Sequence, residues 1–137
     1  MNKNSDTPSA AERIRLLLVD DEKGFVSVLS KRIRRRKMYV TTAFSGADAI
    51  KALRHLEFDV AVLDLKMEDM DGLEVLKIFR IMAPRLMVIM LTGHGSAEAA
   101  RRGIELGAFD YLTKPCELNE LLEKIKAAYQ HRKELKT

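Results

Sequence analysis

The stretch Arg15-Leu16-Leu17-Leu18-Val19-Asp20-Asp21 decides the fold. Four consecutive aliphatic residues with no polar alternation suit a strand buried on both faces, as in a parallel sheet covered by helices on either side. Two carboxylates follow at once, so polar chemistry gathers where the strand ends. The same design returns along the chain. Phe58 to Leu63 reads as a strand and runs into Asp64. Leu86 to Leu91 is a continuous apolar run, reads as a central strand, and is followed by Thr92-Gly93. Phe109 to Leu112 is a fifth strand leading into Thr113-Lys114-Pro115. Tyr39 to Phe44, β-branched and aromatic, suits an outer strand.

Helical spacing fills the gaps between these runs. Phe25, Val26, Leu29 and Ile33 recur at helical intervals. Ala49, Ile50, Leu53 and Leu56 do the same behind Ser45, a residue suited to an N-cap. Asp71-Gly72 opens a helix with Leu73, Leu76 and Phe79 on one face, stopped by Pro84. Ser96 is placed to cap a helix over Ala97 to Leu106, which Gly107 ends. Leu118, Leu121, Leu122, Ile125 and Tyr129 stripe a last helix. Strands alternating with helices through short loops predict a single α/β domain, a (βα)5 unit with helices on both faces. Right-handed crossovers and five parallel strands fit the doubly wound, flavodoxin-like order 2-1-3-4-5. Ligands in such sheets sit beyond the carboxyl ends of the strands, at the switch point between the first and third, where Asp20, Asp21 and Asp64 fall.

Composition narrows the function classes. The 137 residues suffice for one core. An apolar share of 47% and a charged share of 32% read as globular, and no apolar run approaches a membrane span. Residues 1–12 are polar and read as a disordered leader, with the domain over 13–133 and a short tail over 134–137. The leader favours a true N-terminus and is no signal peptide. Cys116 is the only cysteine and the three histidines are scattered, which disfavours a disulfide or a structural zinc and fits a reducing cytoplasm. The net charge of +4 gathers at Lys31, Arg32, Arg34, Arg35, Arg36 and Lys37. With no aromatic interleaving, this reads as a solvated helix end beside the negative dipole terminus, and not as a nucleic-acid surface.

Three acids converging at one place repel one another, and a bound cation relieves this. Oxygen ligands favour Mg2+ over softer metals. Asp20-Asp21 alone would more simply cap the next helix, but Asp64 at the end of a separate apolar strand shifts the reading to a metal site. A carboxylate can take a phosphoryl group as an acyl phosphate. Charge on the transferring group is then met by the metal, by Lys114 as a compact cation, and by the Thr92 hydroxyl with nearby backbone N–H groups.

Taken together, Val19-Asp20-Asp21, Leu63-Asp64, Leu91-Thr92-Gly93 and Tyr111-Leu112-Thr113-Lys114-Pro115 resemble the response-regulator receiver domain of two-component signalling, over about Arg15 to Tyr129. The resemblance implies that Asp64 accepts a phosphoryl group from a histidine kinase or a histidine phosphotransfer protein. It implies that Asp21, Asp64 and the backbone carbonyl of Lys66 ligate Mg2+, with Asp20 acting mostly through a bound water. It implies a cis peptide before Pro115. It further implies that Thr92 moves toward the phosphoryl group while Tyr111 turns inward. The surface of the fourth helix, fifth strand and fifth helix then changes, controlling a protein partner or dimerisation. Arg101, Arg102, Asp110, Glu117 and Glu123 would supply charge pairs there. Such a protein is a cytoplasmic switch that catalyses only its own phosphorylation and dephosphorylation. Nothing in the chain reads as a nucleic-acid or membrane-binding segment.

Two departures stand out. Many receivers carry proline four residues after the phosphoacceptor, where this chain has Glu68, so the loop Asp64 to Gly72 is expected to be looser. Lys66 and His94, two residues beyond Asp64 and Thr92, occupy the places that tune acyl-phosphate lifetime, and neither is an obvious water-orienting carboxylate or amide. A long-lived phosphoryl form is therefore expected. The fourth helix, with few large apolar anchors and Gly103 at its middle, reads as loosely held. A small-molecule phosphohydrolase would need a second acid where Lys66 stands. A flavin carrier would need a phosphate-cradling loop where Asp20-Asp21-Glu22 stands. A pseudo-receiver acting as a pure binding module is the remaining alternative.

Overall fold

The computed structural model describes residues 13–93 and 97–135. The leader over 1–12, and with it His94, Ser96 and the last two residues, lies outside the described residues. Elements alternate as β1 (Arg15–Val19), α1 (Lys23–Arg34), β2 (Tyr39–Ala43), α2 (Gly46–His55) and β3 (Val60–Asp64). They continue as α3 (Gly72–Met82), β4 (Met87–Thr92), α4 (Ala97–Glu105), β5 (Asp110–Thr113) and α5 (Leu118–Glu134). The strands pair in parallel in the order β2-β1-β3-β4-β5, the flavodoxin-like arrangement expected from the sequence.

Alternation along the central strands explains the two-sided core. Leu16, Leu18, Val60, Val62, Ile89 and Leu91 face α1 and α5 and pack with Val26, Ile33, Leu121 and Ile125. Leu17, Val19, Ala61, Leu63, Val88 and Met90 face the other way, onto Ala49, Val75, Leu76 and Phe79 of α2 and α3. Strands buried on both faces cannot alternate polar with apolar, which is why they read as plain aliphatic runs.

Three strands start later than the sequence suggests. β3 begins at Val60 and not Phe58, β4 at Met87 and not Leu86, and β5 at Asp110 and not Phe109. β3 and β4 also end one residue later, so Asp64 and Thr92 belong to the strands, held in the ladder opposite Leu91 and Thr113. At the other end of β3, Asp59 bonds through its backbone to Arg15 and Met87, and its side chain also accepts the Arg15 N–H at 2.8 Å. Phe25 and Leu56, placed on buried stripes by spacing, are both exposed. Leu56 is already beyond α2, in extended backbone that closes the helix. The helix α5 runs to Glu134, so the first residue assigned to the tail is helical.

The looseness expected of α4 is only partly present. Gly103 is buried against β4, and a Cβ there would overlap the Sδ and Cε atoms of Met90. A larger residue there would force the Met90 side chain to shift, so Gly103 marks a close approach as well as a propensity cost. Gly107, at φ +108°, reverses the chain after α4. Among the described residues no helix is long and apolar enough to cross a membrane.

Candidate functional site

The site lies beyond the carboxyl ends of β1, β3, β4 and β5. Asp20 is completely buried just after β1, its N–H held by Ala43 at 3.1 Å. One of its oxygens accepts the Glu22 N–H at 3.0 Å, and the other accepts Lys114 Nζ at 2.8 Å. Asp21 turns the other way and accepts the Glu68 N–H at 3.0 Å. Asp64 ends β3 with one oxygen accepting the Lys66 N–H at 3.3 Å and the other 3.6 Å from Lys114 Nζ. Carboxylate oxygens of Asp20, Asp21 and Asp64 come within 4.8 Å of one another, an arrangement that could hold a metal ion. The sequence therefore brings these three acids together as expected.

Thr92 is buried at the end of β4 and donates from Oγ1 to the Leu112 carbonyl at 3.4 Å. Its own carbonyl accepts the Lys114 N–H at 2.8 Å, which ties the hydroxyl and the lysine to one ladder. The Lys114–Pro115 peptide is cis. Tyr111, one residue before Leu112, is 42% exposed on the outer side of β5. The Lys66 side chain is exposed, and its backbone pairs antiparallel with Asp71.

The electrostatics follow from burial. Asp64 is pushed up to about 6, first by burial and then by the neighbouring Asp20, with Lys114 working against both. For Lys114 burial alone would lower the ammonium, but hydrogen bonds to Asp20 and Glu22 outweigh it and hold it above its ordinary value. Three acids around one amine leave the site over-acidic, the condition a divalent cation relieves.

The family model for the response regulator receiver domain matches residues 16–126. The chain belongs to this family. The receiver is 40% identical over 119 residues to the DNA-binding transcriptional regulator NtrC of Proteus hauseri, covering 87% of this chain and 25% of that protein. It is 36% identical over 112 residues to the photosynthetic apparatus regulatory protein RegA of Cereibacter sphaeroides, covering 82% of this chain and 61% of that protein. A CheY-like receiver domain structure from Methanospirillum hungatei superposes with a TM-score of 0.85 at 28% identity, covering 90% of this chain and 98% of that one. The chain thus spans only about a quarter of the length of the NtrC relative.

Three residues of the receiver site escape sequence reading. Glu22 shares the Lys114 ammonium at 3.1 Å, and its place directly after the acidic pair was the available signal. Phe25 lies under that ammonium, 4.7 Å from ring centroid to Nζ, which accounts for its leaving the core. Asp69 reaches across to α2, accepting the Gly46 and Ala47 N–H groups at 3.0 and 3.1 Å. No local spacing announces a contact over that sequence distance. Two charges placed on the α4-β5-α5 face are engaged within the receiver: Arg101 with Glu98 and Glu105, and Asp110 with Lys124.

Proposed function

We propose that this receiver takes a phosphoryl group from a phosphohistidine donor, a kinase or a phosphotransfer protein, onto Asp64. The observation that carries the reading is the Asp64 carboxylate itself: a strand-end acid flanked by Asp20, Asp21 and the Lys114 ammonium within one small volume. The attacking Asp64 oxygen forms the new O–P bond as the P–N bond to imidazole breaks, and the imidazole leaves with its proton. On this reading Lys114, 3.6 Å from Asp64, and the Thr92 hydroxyl, after giving up its contact with Leu112, meet charge on the phosphoryl oxygens. Asp20, Asp21, Asp64 and the Lys66 carbonyl would hold Mg2+, which supplies further charge neutralisation at the transferring group. A cation there also favours the ionised, nucleophilic form of Asp64, which burial and Asp20 otherwise oppose.

Output on this reading passes through the α4-β5-α5 surface to a protein partner or a second copy, in the cytoplasm. Tyr111 stands exposed on β5, and on this reading it turns inward when Thr92 shifts. Incubation with acetyl phosphate, with and without Mg2+, followed by intact-protein mass tests the reading. A single Mg2+-dependent, base-labile phosphoryl adduct, absent in Asp64→Ala, is the expected result. No adduct under any condition would leave a pseudo-receiver binding module as the better account.

A further inference from the structure

The loop after β3 carries a glutamate where a stiffening proline is common in receivers, yet it is held at two points. The first is the Glu68 N–H, donated to Asp21 at 3.0 Å. A proline at that place has no N–H to donate. The second is Asp69, whose two oxygens accept the Gly46 and Ala47 N–H groups at 3.0 and 3.1 Å. These bonds hold the Asp69 carboxyl below its usual range, the Gly46 N–H contributing most.

The arrangement exceeds what capping α2 requires. A helix start leaves its first N–H groups without intrahelical partners. Here Ser45 already accepts the Asp48 N–H at 3.0 Å from within its own turn. Asp69 takes the two N–H groups that Ser45 does not, and it does so from the loop that carries Lys66 and Glu68. Gly46 permits the approach: a Cβ there would stand 2.9 Å from Met70 Sδ and Val75 Cγ2. The loop is thus sewn to the β1–α1 turn on one side and to α2 on the other. The Glu68 N–H that meets Asp21 directly precedes Asp69, and the Lys66 N–H that meets Asp64 lies two residues before it.

We propose that Asp69 is a positioning residue for the phosphorylation site, acting through the loop to set the Lys66 and Glu68 backbone against Asp64 and Asp21; this rests on the phosphoacceptor reading above. Groups that orient ligands from one shell further out typically matter about tenfold or more in metal affinity or activity.

The test compares Asp69→Ala, Asp69→Asn and Ser45→Ala with wild type. Ser45→Ala weakens the same helix end without touching the loop, so it measures what a mere cap is worth. Mg2+ affinity of the unphosphorylated protein is read by calorimetry, and phosphorylation by acetyl phosphate is followed against Mg2+ concentration. Asp69→Ala is expected to weaken Mg2+ binding about tenfold. It should raise the Mg2+ needed for half-maximal phosphorylation in step. Asp69→Asn, which keeps one acceptor, should fall between it and wild type, and Ser45→Ala should stay within about twofold of wild type. Equal effects of Asp69→Ala and Ser45→Ala, or unchanged affinity in Asp69→Ala, overturn the proposal. A wild type that binds Mg2+ but is never phosphorylated defeats the phosphoacceptor reading, while the affinity comparison still decides the role of Asp69 toward the metal. A wild type that does neither defeats both.

Discussion

Replacing Asp64 by asparagine should stabilise the metal-free protein. Asp64 is almost fully buried beside an Asp20 that is wholly buried, and its carboxyl stands at about 6 against an ordinary 3.8. A folded-state value above the unfolded one means that the native state binds this proton more tightly. Stability from the group is therefore complete below about 3.8 and is lost as pH rises through about 6. At about 1.4 kcal/mol per pH unit, the native state above pH 7 carries at most about 3 kcal/mol of penalty from this charge. Asparagine keeps the shape and one acceptor for the Lys66 N–H but carries no charge. Because Asp20 and Lys114 share the same field, the gain is expected to be about half the limit, roughly 1–2 kcal/mol at pH 7.5.

Urea unfolding in the presence of a chelator measures this directly. The midpoint of Asp64→Asn should exceed that of wild type at pH 7.5, with unchanged slope, and about half of the excess should vanish at pH 5. Saturating Mg2+ should narrow the gap, since binding stabilises only the protein that binds. A mutant less stable than wild type without metal, or a gain indifferent to pH, would refute the reasoning that the acids oppose one another in the folded state.

Other expectations follow from the same structure. Asp59 is buried at the opposite end of the sheet and accepts from the Arg15 N–H, the Arg15 guanidinium and Arg132, so Asp59→Ala should cost about 3 kcal/mol in urea unfolding at pH 7 by leaving the buried Arg132 with only the exposed Glu57. Burial would raise the Asp59 carboxyl, but Arg15 and Arg132 hold it below 3.8, so its stabilising share is present above that value and lost as pH falls below it; the mutant penalty should shrink on titration toward pH 2. Gly103→Ala should lower thermal stability despite alanine's better helix propensity, because the added methyl overlaps the buried Met90 Sδ, and adding Met90→Val should restore part of the loss. On phosphorylation, amide exchange should rise in 97–106 and stay slow at the end of α5; the reverse pattern would contradict the anchoring described below.

Much of this was legible because the decisive signals are local. Aliphatic runs ending in Asp, Thr or Lys give both the strands and the site, since a parallel sheet gathers its strand ends on one side. What was not legible depends on contacts across the chain. Gly103 reads as a propensity fault until Met90 is seen beneath it. Phe25 reads as core until the Lys114 ammonium covers its ring. The loop around Glu68 reads as slack until Asp69 is found on α2. In each case local pattern supplies the residue type and tertiary packing supplies the reason.

The two ends of the sheet divide the labour between function and stability. At the carboxyl end, three acids are crowded around a single lysine, an arrangement that disfavours the metal-free fold and favours cation binding. At the amino end the balance is reversed: Arg15 and Arg132 converge on the single buried Asp59, with Glu57 at the rim, so opposite charges meet and the backbone N–H of β1 is satisfied as well. Arg132 belongs to the last turn of α5, and four apolar residues bury the same helix along its length. That helix is therefore fastened at its far end as well as along its face. Across β5, α4 buries only Ala100 and Gly103, and its Glu98, Arg101 and Glu105 pair with one another on the surface. A rearrangement at Thr92 and Lys114 that must be accommodated nearby meets less resistance in α4 than in α5. On the two sides of β5, the fold thus anchors α5 firmly and α4 lightly.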